Sequence, residues 1–363
     1  MKILQLVYSL SSGGAERFVV NLSNALHNLG HNVTICMLLD DSNCALSFNQ
    51  QFLSPEVSLH SMKFSRGISL KKILAVDKYI RSQHPDVVHC HLNVTPYIYA
   101  LTLRNRHIRF VHTLHSLADK TVAPGLQYHL NRFFYSKGYI HPVTISEECQ
   151  ESFKDYYKLD NSVRVDNGAA IAKPTNSYQS VAAEIESLRF RTNVPAFVHV
   201  ARFHQAKNQK LLIDSFNELD RRGIPFLLLI VGARFDSPEA QELVRTACDK
   251  IHFLGEKSNV SDYLLCADYF CLSSDYEGLP ISLLEALSAG ITPICTPVGG
   301  INNVLKDGQT GYLSKGLTVE AYVDALLRAL KSPLERSYLK KYFNENYSID
   351  HCAQRYLEIF ESF

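Results

Sequence analysis

The stretch Asp275-Tyr-Glu-Gly-Leu-Pro-Ile-Ser-Leu-Leu-Glu285 constrains the fold and chemistry of this chain more tightly than any other. Upstream, the apolar run 267–272 is typical of a short buried strand. Downstream, residues 281–289 predict a helix that stops at Gly290. Pro280 is expected near the first helical position, where its missing N–H costs nothing. The stretch therefore predicts a strand, a tight turn and a helix in succession.

A helix that begins in this way presents free backbone N–H groups and a positive dipole end, which favour phosphate. Two carboxylates flank the turn: Glu277 precedes it, and Glu285 lies one to two turns into the helix. Because carboxylates repel a phosphate, they are expected to bind something else. Paired hydroxyls of a sugar or ribose fit, since an ionised carboxylate accepts two hydrogen bonds side by side.

The length of 363 residues exceeds what one hydrophobic core usually supports, so two domains are expected. Hydrophobic residues make up 46% and charged residues 20%, which argues against disorder. The net charge of +1 gives no drive toward nucleic acid. Residues 1–168 are modestly basic, with 17 Lys and Arg against 13 Asp and Glu. This balance fits an anionic partner that carries phosphate or lipid, without requiring one.

The cysteines predict a reducing compartment. Nine are scattered along the chain with no Cys-x-x-Cys pair, and several lie in apolar, strand-like runs. The apolar residues 1–10 are too few for a signal-peptide core and fit a first strand better. No apolar run approaches the length needed to cross a bilayer. We therefore expect a cytoplasmic protein.

Short apolar runs alternate with helical patterns in both halves of the chain, which predicts two doubly wound parallel sheets of an α/β protein. The predicted strands are 3–8, 32–39, 86–90, 109–114, 139–145, 196–200, 226–231, 251–254, 269–272 and 292–295. The predicted helices are 15–29, 70–82, 95–103, 126–135, 147–157, 209–221, 239–249, 260–266, 281–289, 319–330 and 349–363.

Residues 165–178 are interpreted as the linker between domains 1–168 and 169–348. The final helix, 349–363, is a candidate to pack back on the first domain. Ligands of open α/β sheets bind beyond the carboxyl ends of the strands. Two such sheets facing one another would form a deep cleft, which the motifs below are expected to line.

The sequence Ser11-Ser-Gly-Gly-Ala-Glu16 joins the first strand to the first helix. Gly13 and Gly14 would let a bulky anionic group approach the backbone at a helix N-terminus. The motif matches neither Gly-x-Gly-x-x-Gly nor a P-loop, so dinucleotide binding and P-loop chemistry are not predicted. A tight turn without a ligand is the alternative.

Two cations follow the first strand of the second domain. Arg202 is expected at the strand end and Lys207 at the next helix start. A diphosphate leaving group needs fixed cations of this kind, since negative charge builds on it as the bond breaks. The alternative is that both cations are ordinary solvated surface residues. The presence of Glu277 and Glu285 in the same predicted domain makes this alternative less attractive.

Four histidines, in His89-Cys-His91 and His112-Thr-Leu-His115, raise the question of a zinc site. No carboxylate completes either pair at ligand spacing. Alternation along a strand also places His89 and His91 on one face as ordinary packing or hydrogen-bonding residues. No metal site is predicted.

The helix predicted over 126–135 has two interpretations. One is contact with a membrane surface, and the other, which is favoured, is packing on the first sheet. Its apolar residues at helical spacing are Leu126, Leu130, Phe133 and Phe134, and its cationic neighbours are His129, Arg132 and Lys137.

Taken together, these segments resemble the family 4 glycosyltransferases, which are retaining enzymes of the GT-B fold with two Rossmann-like domains. The resemblance covers nearly the whole chain. Its motifs are 13–16, 112–115, Asn167-Gly168, Arg202 with Lys207-Asn208, Phe253-Leu-Gly255, Glu277-Gly-Leu-Pro280 with Glu285, Val298-Gly-Gly300 and Asp307-Gly-x-Thr-Gly311. Departures are Ala201 where many relatives have Gly, Ala169-Ala170 after Asn167-Gly168, and Asn302-Asn303 after Gly299-Gly-Ile301.

The resemblance implies roles for individual residues. Glu277 would hold hydroxyls of the donor sugar and Glu285 the ribose. Arg202 and Lys207 would bind the diphosphate with backbone N–H groups of Gly278 and Leu279. Gly13 and Gly14 would lie near the donor, and His115 would be the active-site histidine, with His112 as the second choice. No metal or other cofactor is implied.

The implied activity is transfer of a sugar from a nucleoside diphosphate sugar, most simply a UDP-sugar, to a hydroxyl of a glycan. Charge and compartment suggest a lipid-linked acceptor at the inner face of the plasma membrane, as in bacterial surface polysaccharide assembly. Loops 42–64 and 117–125 are expected to select the acceptor. The alternatives are a sugar-nucleotide epimerase, a phosphorylase, or a non-catalytic subunit that binds sugar nucleotides.

Overall fold

The computed structural model describes residues 1–40, 46–191 and 193–362. The chain divides into two compact units. Unit 1 comprises Met1–Gly168 and Ile349–Phe363, and unit 2 comprises Ala169–Ser348. Unit 1 is therefore built from two separate lengths of chain, whereas unit 2 is continuous.

Strands and helices alternate through the described residues. Strands β1 to β13 are Lys2–Val7, Asn32–Leu39, Ser58–Phe64, Val87–His91, Arg109–Leu114, His141–Thr144, Val163–Arg164, Ala196–Val200, Leu227–Val231, Ile251–Gly255, Tyr269–Leu272, Thr292–Cys295 and Tyr312–Leu313. Helices α1 to α15 are Gly14–Asn28, Leu70–Gln83, Tyr99–Arg104, Ala118–Thr121, Leu126–Ser136, Glu147–Tyr157, Tyr178–Leu188, Gln209–Arg221, Pro238–Val244, Val260–Cys266, Ile281–Ala289, Ile301–Val304, Val319–Lys331, Arg336–Asn346 and Ile349–Ser362. Within the described residues, 3-10 turns lie at Phe48–Phe52, Thr95–Tyr97 and Gln205–Lys207.

Each unit has one parallel sheet with helices on its faces, which confirms the predicted fold class. The strand order is β3-β2-β1-β4-β5-β6-β7 in unit 1 and β10-β9-β8-β11-β12-β13 in unit 2. The order reverses between β1 and β4 and again between β8 and β11. Ligands of α/β sheets bind at the carboxyl ends of the strands at such reversals.

Two hydrophobic layers cover the sheet of unit 1. Helices α2, α3, α5 and α6 form one of them, with Val76, Leu101, Phe134 and Phe153 in its core. Strand β4 shows how the faces separate, because Val88 and Cys90 belong to that core while His89 contacts the rings of Tyr356 and Phe360. Those two residues belong to α15, which packs beside α1.

Helix α11 is almost entirely buried within unit 2. Its buried side chains lie on every side, because it is enclosed by β11, α10 and α14. It ends at Gly290, whose φ of +76° is the left-handed conformation that glycine favours, as predicted. Pro280 is the N-cap in extended conformation, with φ −71° and ψ 124°, and not the first helical residue.

Two predicted helices differ from the structure. The predicted helix 239–249 ends at Val244, because the Asn217 side chain binds the backbone beyond it, donating to Thr246 O and accepting from Cys248 N. The predicted helix 95–103 is divided into a 3-10 turn, which contains Pro96, and α3. Helix α15 runs to Ser362, and Phe363 lies outside the described residues.

The expected loop 42–64 contains a 3-10 turn and the edge strand β3, and residues 42–45 lie outside the described part. The expected loop 117–125 contains the single-turn helix α4. Helix α5 packs on the sheet by burying Phe134 and Tyr135, as favoured, although Leu126 and Phe133 are exposed. No helix in the described residues is both long and apolar enough to span a membrane.

Candidate active site

The loops that follow β8 and β11 meet at the reversal in the sheet of unit 2, where the two strands are hydrogen-bonded neighbours. The Asp275 amide donates to the Ala206 carbonyl at 2.9 Å, and Asn208 Nδ2 donates to Asp275 Oδ1 at 2.6 Å. Segments 202–208 and 275–285, which the sequence analysis assigned to donor binding, therefore lie side by side.

Glu277 is the centre of this arrangement. Its Oε1 accepts from Lys207 Nζ at 2.5 Å and from the buried Ser274 hydroxyl at 2.6 Å. Among the described residues, no hydrogen bond reaches its other oxygen, Oε2. The carboxylate is thus held by one oxygen, 8% of the residue stays exposed, and Oε2 keeps its acceptor capacity.

The glycine pair Gly299-Gly300 supports the turn after Glu277. The Gly300 amide donates to Gly278 O at 2.7 Å. A Cβ on Gly299 would lie 2.0 Å from Glu277 O, and its φ is +57°. Helix α11 then begins without a side-chain cap, so its N-terminal dipole end is not neutralised by a side chain of its own N-cap residue.

Arg202 extends from the end of β8 as an exposed residue. Within the described residues its guanidinium forms no ion pair or hydrogen bond, while its carbonyl accepts from Gln209 Nε2 at 3.0 Å. Gln209 also lies 3.4 Å from Nε2 of His199, whose Nδ1 is 2.9 Å from Cys271 O. Burial lowers the pKa of His199 to about 4, so this neutral ring ties β8 to β11 behind the arginine.

Glu285 lies at the margin of the buried helix α11. It is only partly exposed, while Leu284 and Ala286 on either side of it are fully buried. Of the residues proposed for donor binding, unit 2 contains Arg202, Lys207, Glu277, Gly278, Leu279 and Glu285. Gly13, Gly14 and His115 belong to unit 1.

The glycine turn of unit 1 is held by two side chains that the sequence analysis did not select. Gly13 is the N-cap of α1 in extended conformation and Gly14 is its exposed first residue. The Glu16 carboxylate accepts from Ser11 Oγ at 3.0 Å and fills the space that a side chain at Gly13 would need. The buried Asn49 donates to the carbonyls of Ser11 and Gly13.

The His115 ring contacts another histidine of unit 1. Its Nε2 lies 3.0 Å from His91 Nδ1, and His91 Nε2 lies 2.7 Å from Gln5 Oε1. Desolvation by burial, with a smaller contribution from His112, lowers the pKa of His115 to about 3. The ring is therefore neutral near pH 7 and can exchange hydrogen bonds but not act as a cationic acid.

His112 has a different environment from His115. Its Nδ1 is 2.7 Å from the Tyr135 hydroxyl and its Nε2 is 2.6 Å from the Leu92 carbonyl. Both nitrogens are thus occupied within the core, and burial lowers the pKa to about 4. This geometry leaves His112 no ring nitrogen for a substrate.

His89 and His91 lie on one face of β4, as the alternation predicts, with ring centroids 4.0 Å apart. Desolvation by burial lowers the pKa of both well below the usual value. His89 Nε2 contacts Thr113 Oγ1 at 2.8 Å, and Thr113 contacts the Tyr356 hydroxyl at 2.9 Å. In the part of the chain that the structure describes, no three His, Cys, Asp or Glu side chains are grouped so that they could hold a metal ion.

Comparison with known proteins identifies the two halves of the chain. The family model Glycosyltransferase Family 4 matches residues 12–170, and Glycosyl transferases group 1 matches residues 180–346. Among curated proteins, the chain is 24% identical over 278 residues to the Escherichia coli UDP-Gal:alpha-D-GlcNAc-diphosphoundecaprenol alpha-1,3-galactosyltransferase, covering 72% of each protein.

A second relative is the Bacillus anthracis N-acetyl-alpha-D-glucosaminyl L-malate synthase, at 32% identity over 37% of this chain and 35% of that protein. Among solved structures, Anabaena HepE in complex with UDP-glucose superposes with a TM-score of 0.82 at 15% identity, with full coverage of both chains. The chain belongs to the family 4 glycosyltransferases and has the GT-B fold.

Proposed function

We propose that this glycosyltransferase is a retaining enzyme that moves a sugar from a UDP-sugar to a hydroxyl of a lipid-linked glycan, in the assembly of a bacterial surface polysaccharide. The observation that carries the proposal is the pairing of Lys207 with Glu277 beside the start of α11. A cation for phosphate and an acceptor for hydroxyls are the two chemical needs of a nucleotide-sugar donor. The donor and acceptor named for the Escherichia coli relative support the choice of substrates.

The donor would be held mainly by unit 2. Glu277 Oε2 would accept from hydroxyls of the transferred sugar, and Glu285 from those of the ribose. The diphosphate would lie against the N-terminus of α11 and the amides of Gly278 and Leu279, with Lys207 and Arg202 as its cations. Lys207 has three N–H donors, so it can bind phosphate while keeping its bond to Glu277.

Unit 1 would contribute the glycine turn and a histidine. Gly14 is exposed at the start of α1 and would leave room for the donor, and the neutral His115 would bind the donor sugar by a hydrogen bond. As the bond from the anomeric carbon to the diphosphate breaks, charge grows on the leaving oxygen, where the cations and the helix end stabilise it. The acceptor hydroxyl would attack from the same face and pass its proton to that phosphate, which retains the anomeric configuration.

The first test is release of UDP from a panel of UDP-sugars with and without a lipid-linked glycan acceptor. Lys207→Ala and Glu285→Ala should each lower kcat/KM about 100-fold or more, because each removes a charged contact to the donor. Lys210→Ala, which removes an exposed lysine of the neighbouring helix α8, is the matched control and should keep full activity. Unchanged turnover in the first two variants contradicts the assigned roles.

Two measurements test the finer parts of the proposal. Proton NMR of the product should show the same anomeric configuration as the donor, and activity should persist after treatment with EDTA, because lysine and arginine take the place of a divalent cation. Conversion of the UDP-sugar into its epimer without an acceptor indicates an epimerase, and dependence on free phosphate indicates a phosphorylase. A cytoplasmic location is proposed because the eight cysteines among the described residues are all free.

A further inference from the structure

Positive charge is concentrated in one part of unit 1. Between residues 63 and 137 the sequence has 12 Lys and Arg but three Asp and Glu, whereas the rest of the chain has 25 against 33. This segment supplies helices α2, α3 and α5, which share one layer on the sheet. A chain with a net charge of +1 thus has one strongly basic region.

Three large apolar side chains are exposed at the start of α2 within this region. The exposed fractions are 53% for Ile68, 71% for Leu70 and 53% for Leu74. Leu70 and Leu74 are one helical turn apart and share a face, and the exposed Lys71 and Arg66 flank them. We call these five residues the α2 patch.

The α2 patch is held in a defined conformation. Lys72 Nζ donates to Ser65 O at 2.8 Å and to Gly67 O at 2.9 Å, and the Tyr97 hydroxyl donates to Gly67 O at 3.2 Å. Ser69 caps α2 by accepting from the Lys72 amide at 3.4 Å. Ile68 and Leu70 are therefore exposed by an ordered backbone and not by a loose loop.

The two cations of the α2 patch are both exposed. In the described residues, neither the Arg66 nor the Lys71 side chain has an ion pair or hydrogen bond. Some other exposed cations do pair with acids one helical turn away, as in Lys210–Asp214 at 2.5 Å and Arg222–Glu218 at 2.7 Å. Apolar side chains beside unpaired cations fit a surface that is apolar inside and anionic outside.

We propose that the α2 patch docks unit 1 on an anionic phospholipid bilayer, with Ile68, Leu70 and Leu74 entering the headgroup region. Helix α2 follows the carboxyl end of β3, and Gly14 and His115 follow the carboxyl ends of β1 and β5. All strands of this sheet are parallel, so these segments lie at the same edge. Docking would bring that edge to a lipid-linked acceptor, a benefit that rests on the proposed function.

The test uses the full chain and vesicles of phosphatidylcholine alone or mixed with phosphatidylglycerol, without sugar donor. The protein should sediment with the mixed vesicles, and less so as salt is raised. Leu70→Ser with Leu74→Ser, and Arg66→Ser with Lys71→Ser, should each reduce the bound fraction at least about tenfold. The control Leu29→Ser with Leu317→Ser removes two other exposed leucines and should bind as the wild type does.

Failure of the wild type to bind mixed vesicles, or equal loss in the control, overturns the proposal. A dimer in solution that the patch variants abolish, without vesicle binding, assigns the surface to a second copy instead. Turnover with a short acceptor that lacks lipid is measured separately. Normal turnover without vesicle binding defeats this inference alone, and vesicle binding without turnover defeats the proposed function alone.

Discussion

The Glu277 carboxylate is held within the fold by only one of its oxygens. Both donors, Lys207 and Ser274, reach Oε1. Ser274 is itself fixed, since its carbonyl accepts from Thr296 Oγ1 at 2.6 Å. Its hydroxyl therefore acts as a positioning group for the glutamate.

Replacing this hydroxyl should impair both the reaction and the stability of the fold. In Ser274→Ala, kcat/KM should fall roughly tenfold, and the free energy of unfolding should fall by about 1–3 kcal/mol, the usual worth of a hydrogen bond to a charged group. Steady-state kinetics and urea unfolding measure the two effects.

Ser215→Ala is the matched control for that variant. Ser215 is equally buried and donates to the Leu211 carbonyl at 2.7 Å inside α8. It should lose some stability but no activity. Equal kcat/KM in both variants contradicts a positioning role for Ser274.

The residues proposed for this site can be chosen from the sequence, but the contact between two of them cannot. Arg202, Lys207, Glu277 and Glu285 were selected because their chemistry suits a diphosphate and a sugar. The contact between Lys207 and Glu277 joins residues 70 positions apart and depends on β8 lying beside β11, which no local pattern shows. Ser274 could have been noticed as a polar residue at a buried strand end.

The Gly299-Gly300 turn supports the backbone around Glu277, and Gly299 differs from other glycines in left-handed conformation. Gly299→Ala should cost both activity and stability, because its Cβ would meet Glu277 O at 2.0 Å and displace the backbone that presents Glu277. Kinetics and thermal unfolding of the variant measure these losses.

Gly308→Ala separates backbone strain from this close contact. Gly308 has a φ of +72°, but a Cβ there would meet nothing within 4 Å. The variant should lose only about 1–2 kcal/mol through left-handed strain and keep its activity. If both variants keep full activity, the turn does not position Glu277.

Several elements were predicted to the residue, among them β2, β5, α6, α8 and α11. Other elements were not predicted, and three of them show the physical reasons. Strand β3 is a half-buried edge strand with polar residues along it, β13 has only two residues, and α14 is a largely polar helix. Their structure depends on neighbours in the fold more than on a local hydrophobic pattern.

Across the whole molecule, buried neutral histidines predict sensitivity to acid. His112 and His199 have a pKa of about 4 in the fold against about 6.5 in an unfolded chain. Between these pH values the two histidines bind more protons in the unfolded chain than in the folded one. The free energy of unfolding therefore has its full value above about pH 6.5 and falls as the pH drops toward about 4. The loss should be on the order of 1–3 kcal/mol per histidine.

Thermal unfolding across this pH range checks the prediction. In His112→Gln the melting temperature should depend less steeply on pH than in the wild type, whatever its absolute value. His107→Gln removes an exposed histidine and should leave the slope unchanged. A wild-type melting temperature that is constant from pH 7 to pH 4 contradicts the prediction.

The order of segments along the chain has a consequence for synthesis in the cell. Helix α15 covers the His89 face of unit 1, yet it follows all of unit 2. A ribosome must therefore synthesise some 180 further residues before α15 can cover that face. During this interval the nascent unit 1 exposes apolar and imidazole surface, and we expect chaperones to bind that surface until α15 has been synthesised.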